Sequence, residues 1–268
     1  MRLSALSLAG SLLLTLTSLP AMAWGGLGHR VIVEIAQRHL TEEARRNIAA
    51  YMPYDMKKDA LWMDAHRKDK DIAFTTAYHT YNIDPVSGKY EASYRYWKGD
   101  CVRALYVSDY ILRNRKELSD SATLMNIRMV IHWVADLHCP THSYLEAKDG
   151  QKWPCAIGDR KFASFHSVYD KMPELLYPGM KAEQVADMID DAKPRQIKKI
   201  ASGEILDWVE EIGALNSLIY EINPVPSDKS SVQQLDPETV EKSRELCNVE
   251  MRNAGYRLAR LLNEYFGN

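Results

Sequence analysis

The sequence predicts an all-α fold in one compact multi-helix domain. Apolar residues recur at spacings of three, four and seven, period-two alternation is nearly absent, and no repeat or confident linker divides the chain. The 268 residues are 46% hydrophobic and 26% charged, which excludes disorder and a polytopic membrane protein. With 34 basic and 36 acidic side chains, the net charge of -2 excludes nucleic-acid binding by blanket phosphate neutralisation. Positive charge for any nucleic-acid chemistry would have to come from elsewhere, such as metal ions.

Met1-Arg2, an apolar run from Leu3 to about Leu19, and Ala21-Met22-Ala23 read as a cleavable secretory signal. The run is short for a membrane anchor, and no other stretch could span a bilayer. The expected organisation is therefore a signal peptide over 1–23 and one domain over 24–268, exported to the periplasm or the medium. No stable membrane association and no protein partner are implied.

Thr41 followed by Glu42-Glu43 opens a helix that ends near Met52-Pro53. Cys101–Leu118 and Ala122 to about Cys139 read as long helices, as does Ile205–Glu221. Glu238–Phe266 is the clearest, with Val240, Cys247, Met251, Ala254, Leu258, Leu261 and Tyr265 forming a core-facing stripe. Asn223–Ser231, rich in Pro and Ser, is a loop between helices.

Four cysteines in an exported chain suggest up to two disulfides. Cys101 and Cys247 fall on core-facing stripes, so a bridge between them is the first expectation. Cys139 and Cys155 would then close a second loop around His142 or stay reduced.

Eight histidines carry the chemical signal. His132 and Asp136 are four apart on one helical face, opposite the stripe Leu124, Ile127, Ile131 and Val134. His166 and Asp170 repeat that spacing on another short helix. His142 follows Pro140, Asp64 and His79 lie upstream, and His29 is five residues after Trp24. Isolated, such a His/Asp pair is more often a structural hydrogen bond. Together, neutral imidazoles and carboxylates suit zinc. An α-amino group titrates near ~7.7–8.0, so the amine of a mature chain beginning at Trp24 could also ligate.

Trp24…His29, Asp64-x-x-Arg67, His79, His132-x-x-x-Asp136-x-His138-x-Pro140-x-His142 and His166-x-x-x-Asp170 resemble the motifs of the S1/P1 nucleases. That family of trinuclear zinc enzymes is related to zinc phospholipase C, and the match runs from Trp24 to Asp170. The resemblance implies an all-α fold of the phospholipase C/nuclease type and three zinc ions per chain. One ion would be held by Asp64, His79, His132 and Asp136. A second would take His142, His166 and Asp170. The third would take the amine and carbonyl of Trp24, with His29 and a shared Asp136. His138 would stand near the site without ligating.

The implied reaction is hydrolysis of single-stranded DNA or RNA to 5′-phosphates, with 3′-nucleotides as a further substrate class. Arg67 would donate to a phosphoryl oxygen, and Asp64 would orient the attacking water. Thr80 stands where many members carry a base-stacking aromatic, which leaves Tyr81 next door; Asn82 sits where a base-reading group is common. The usual Asn-Leu-His is replaced by Ser164-Phe165-His166, and substrate preference is open. The alternatives are a zinc phospholipase C, or a metal-stabilised binding protein without catalysis. The final Asp170 and the short Trp24-to-His29 gap favour the nuclease over the lipase. Arg67 and the complete ligand set speak against an idle protein.

Overall fold

A computed structural model of the chain describes residues 24–84, 87–91, 99–143 and 151–267. The first half contains α1 (Gly26–Arg38), α2 (Glu42–Ala49), α3 (Trp62–His66), α4 (Cys101–Arg113) and α5 (Asp120–Leu137). The second half contains α6 (Phe165–Asp170), α7 (Met172–Leu176), α8 (Ala182–Ile189), α9 (Pro194–Ile200), α10 (Ile205–Asn216), α11 (Leu218–Ile222), α12 (Thr239–Lys242) and α13 (Arg244–Phe266). The all-α class holds, with one small sheet that no alternation announced. β1 (Cys155–Ile157) pairs antiparallel with β2 (Arg160–Phe162) and parallel with β3 (Gln233–Leu235). The expected signal peptide lies outside the described residues. Among those described, no helix is long and apolar enough to cross a membrane.

α13 is the central strut, and α1, α2, α4, α5 and α8 pack around it. Its stripe Cys247, Met251, Ala254, Leu258, Leu261 and Tyr265 is buried, as the periodicity requires. Gly255 lets α1 approach closely: a Cβ there would lie 2.5 Å from Ile35 Cγ2.

Polar side chains set the helix ends. Thr41, Asp100 and Ser119 cap α2, α4 and α5 by accepting from Ala44, Arg103 and Ala122 backbone N–H groups. Such a cap contributes about 1 kcal/mol. Four helices are shorter than the periodicity predicts, and in three of them a polar side chain stands at the break. The Asn114 amide donates to Tyr110 O and stops α4. The Ser217 hydroxyl donates to Ala214 O and separates α10 from α11. Ser243, whose hydroxyl meets Tyr169 Oη at 3.2 Å, divides α12 from α13. Nothing in the structure explains why the first predicted helix stops at Ala49 rather than Met52.

Neither expected disulfide is formed: all four cysteines are buried and free. Three of the sulfurs turn to separate oxygens. Cys101 Sγ lies 3.4 Å from Trp133 O, Cys155 Sγ 3.6 Å from Trp153 O, and Cys139 Sγ 3.9 Å from Asp170 Oδ1.

Candidate metal centre

α5 supplies the middle of the cluster. His132 and Asp136 lie one turn apart on the face opposite Ile127, Ile131 and Val134, and both are fully buried. Helix α3 delivers Asp64, and the short 3-10 turn Ala73–Ala77 delivers His79 just past its end. The His132 Nδ1–H donates to Ala60 O at 3.2 Å, which leaves the Nε2 lone pair facing inward. Around it stand His79 Nδ1 and Asp136 Oδ2, each at 3.2 Å, and Asp64 Oδ1 at 3.8 Å. His79 Nδ1 lies 2.8 Å from Asp136 Oδ2 and 4.0 Å from Asp64 Oδ1. Zinc with ligands at about 2.0–2.1 Å in a tetrahedron separates them by about 3.3 Å, which these distances bracket.

The other Asp136 oxygen faces elsewhere. Oδ1 lies 3.4 Å from His29 Nε2 and 3.8 Å from His142 Nδ1. His29, on the first turn of α1, donates from Nδ1 to Trp24 O at 2.5 Å. Residues 24–28 dock on α6 and α7. Gly25 N–H donates to Asp170 O, and Leu27 N–H donates to Glu174 Oε1 at 3.1 Å, where Gly25 offers no side-chain cap. A Cβ at Gly28 would lie 3.0 Å from Trp24 Cβ and from Pro173 Cγ, so glycine eases the close packing of Trp24 under the helix.

Past Pro140 the chain turns, with His142 N–H donating to Cys139 O at 2.9 Å. This puts His142 beside α6, whose start is fixed by reciprocal bonds between Ser164 and Ser167. The rings of His142 and His166 stack at 4.9 Å. Their Nε2 atoms stand 3.8 and 3.4 Å from Asp170 Oδ1. All nine predicted ligand residues therefore gather around Asp136 and Asp170.

Charge explains what this gathering needs. Burial pushes the Asp170 carboxyl well above its usual range, and the Asp136 and Asp64 charges push it further. Two like charges about 4 Å apart cost about 4 kcal/mol at an effective dielectric near 20. Burial opposes protonation of His132, but Asp136 and Asp64 outweigh it and lift its pKa to about 9. Burial, aided by the neighbouring histidines, holds His142 well below its ordinary value, and burial with a smaller push from His79 brings His166 down to about 4, so both are neutral and able to ligate at neutral pH. Both Asp64 oxygens, Asp136 Oδ1, His29 Nε2, His79 Nε2 and both His142 nitrogens make no hydrogen bond with any described residue. Buried polar atoms are rarely left so, and their types suit divalent metal. The described residues thus fit the implied ions.

Arg67 follows α3 three residues after Asp64 and is half-buried. Tyr81 is in the core, its hydroxyl donating to Leu137 O at 2.9 Å. This corrects the expectation that its ring stacks on a base, because no ring face reaches the solvent. Asn82 is also buried. A wide groove between α9 and α13, lined by His39, Ile197, Tyr256 and Arg260 among others, shares no residue with the cluster.

Sequence reasoning missed two supporting residues. Arg257 Nη1 donates to His138 Nε2 at 3.0 Å, while His138 Nδ1–H donates to Val134 O, so the ring is neutral and ties α5 to α13. The two are 119 positions apart, so no local signal could reveal that pair. Glu174 serves the start of α1, again across the chain. Cys139, expected as half of a disulfide, instead places its sulfur 3.9 Å from Asp170 Oδ1.

A protein of Arabidopsis thaliana described as Endonuclease 2 is 25% identical over 203 residues, spanning 70% of this chain and 67% of that protein. The family description "S1/P1 Nuclease" matches residues 24–267, and the chain belongs to that family.

Proposed function

We propose that the protein is an exported hydrolase that cuts phosphodiester bonds in single-stranded nucleic acid with three zinc ions. Its products carry 5′-phosphates, and 3′-nucleotides are a second substrate class. The observation that carries this reading is the convergence of buried imidazole nitrogens on the two oxygens of Asp136, with Asp136 Oδ1, His29 Nε2 and both Asp64 oxygens making no hydrogen bond with any described residue. One site is assigned to Asp64, His79, His132 and Asp136, another to His142, His166 and Asp170. The third is assigned to the Trp24 amine and carbonyl, His29 and Asp136, after cleavage following Ala23. Bound there, the ions would supply hydroxide at neutral pH and positive charge for the phosphoryl group.

The protein's own groups do the rest. Asp64 holds the proton side of the attacking water. Arg67 donates two N–H groups to a non-bridging phosphoryl oxygen and aligns the phosphorus. His132 keeps its Nε2 aimed inward because Ala60 O holds Nδ1–H. The burial of the cluster limits competing water. The nearly balanced charge of -2 is compatible with an anionic substrate if the site's own cations attract it.

The test is hydrolysis of denatured DNA, duplex DNA and a phosphatidylcholine emulsion, each with and without chelator. Chelator-sensitive cleavage of denatured DNA, with 5′-phosphate ends, is the expected result. Preferential release of phosphocholine would assign the lipase instead, and no turnover on any substrate would assign a binding protein.

A further inference from the structure

We infer that Cys139 is a fourth protein ligand of the site formed by His142, His166 and Asp170, making a sulfur, two nitrogens and an oxygen. The inference rests on the metal-binding reading above and adds a donor to it. Cys139 Sγ lies 3.9 Å from Asp170 Oδ1. The sulfur, a His142 ring nitrogen and an Asp170 oxygen all lie within 4.8 Å of one another. All three residues are at least 98% buried. Independently of the thiol, both His142 nitrogens and Asp170 Oδ2 are buried without a hydrogen-bond partner among the described residues. The sulfur's contacts with side chains of the described residues are long, to the Thr141 hydroxyl at 3.7 Å and to Asp170. A 3.9 Å S–O separation is a weak hydrogen bond, yet it is close to the edge of a tetrahedron with a Zn–S bond of about 2.3 Å and a Zn–O bond of about 2.0 Å.

The backbone holds the sulfur there. Cys139 N–H donates to Asp136 O at 3.1 Å, and Cys139 O accepts from His142 N–H at 2.9 Å. The same turn therefore aims both side chains at Asp170. On binding, the thiol proton leaves to solvent as the sulfur–metal bond forms.

The consequence is tighter retention of this ion, because a fourth protein donor ties it to the turn after α5. A thiolate also selects zinc over magnesium or manganese at this site.

X-ray absorption at the zinc edge tests this on the fully loaded protein, with zinc content measured on the same samples. Wild type should show sulfur at about 2.3 Å, one atom shared among the bound ions, beside nitrogen and oxygen at about 2.0–2.1 Å. Cys139→Ser should lose the sulfur shell, and Cys155→Ser should keep it. Cys139→Ser should also release one ion to chelator at least roughly tenfold faster. Zinc-loaded wild type without a sulfur shell overturns the assignment, as does a shell lost in Cys155→Ser and kept in Cys139→Ser. A protein that takes up no zinc overturns the metal-binding reading itself, and metal analysis separates that failure from the others.

Discussion

Replacing Asp136 with Asn changes one buried charge and almost no volume. Its Oδ2 faces His79 and His132 at 2.8 and 3.2 Å, while its Oδ1 faces His29 and His142 at 3.4 and 3.8 Å. The substitution therefore weakens two proposed ion sites at once and spares the one centred on Asp170. One unit-charge interaction at about 4 Å is worth about 4 kcal/mol at an effective dielectric near 20, roughly a thousandfold in affinity. A ligand lost at close range should cost at least that. Asp136→Asn, dialysed against a mild chelator and assayed by elemental mass spectrometry, should fall from three zinc ions per chain to one. Asp170→Asn should fall from three to two. Circular dichroism should change little, because α5 and its packing are untouched. Asp136→Asn that keeps three ions, or loses only one, would refute the bridging role.

Three further outcomes are expected. Arg67→Ala should lower kcat by about 10²–10³ with zinc content unchanged, and an unchanged kcat would leave Arg67 a structural role only. A chain beginning Met-Trp24, kept unprocessed, has an amide where the proposed ligand is an amine; it should fold, bind one zinc fewer and turn over far more slowly than protein cut after Ala23, and equal zinc and turnover would remove that ligand. In zinc-stripped protein the buried His142 and His166 stay neutral while the unfolded chain gains protons below pH about 6.5, so denaturant stability should fall as pH drops from about 6.5 to 4. His166→Asn should flatten that acid limb, and an unaltered limb would show that other groups set it.

Much of this was legible because helices turn local spacing into geometry. His132/Asp136 and His166/Asp170 lie one turn apart, so each pair shares a face whatever the tertiary fold. Their burial follows from the apolar residues on either side. The long helix ending at Phe266 was legible for the same reason. What escaped depended on distant partners. Helix α1 draws its N-terminal cap from Glu174 and its close packing from Gly255, neither readable near residue 26. The strands β1, β2 and β3 are three residues each, too short for alternation to show. Tyr81 adjoins Thr80, the position where the resemblance places a base-stacking aromatic, but Leu137 O binds its hydroxyl in the core. Parity and export argue for disulfide bridges, whereas the fold aims the cysteine sulfurs elsewhere.

The most direct test strips the protein with chelator and returns zinc in steps, following cleavage of a single-stranded oligonucleotide and the phosphate at its new ends. Cleavage should be absent in stripped protein, return fully only as the third equivalent binds, and yield 5′-phosphate ends. Full cleavage by the stripped protein, or none after three equivalents have bound, would contradict a three-zinc nuclease.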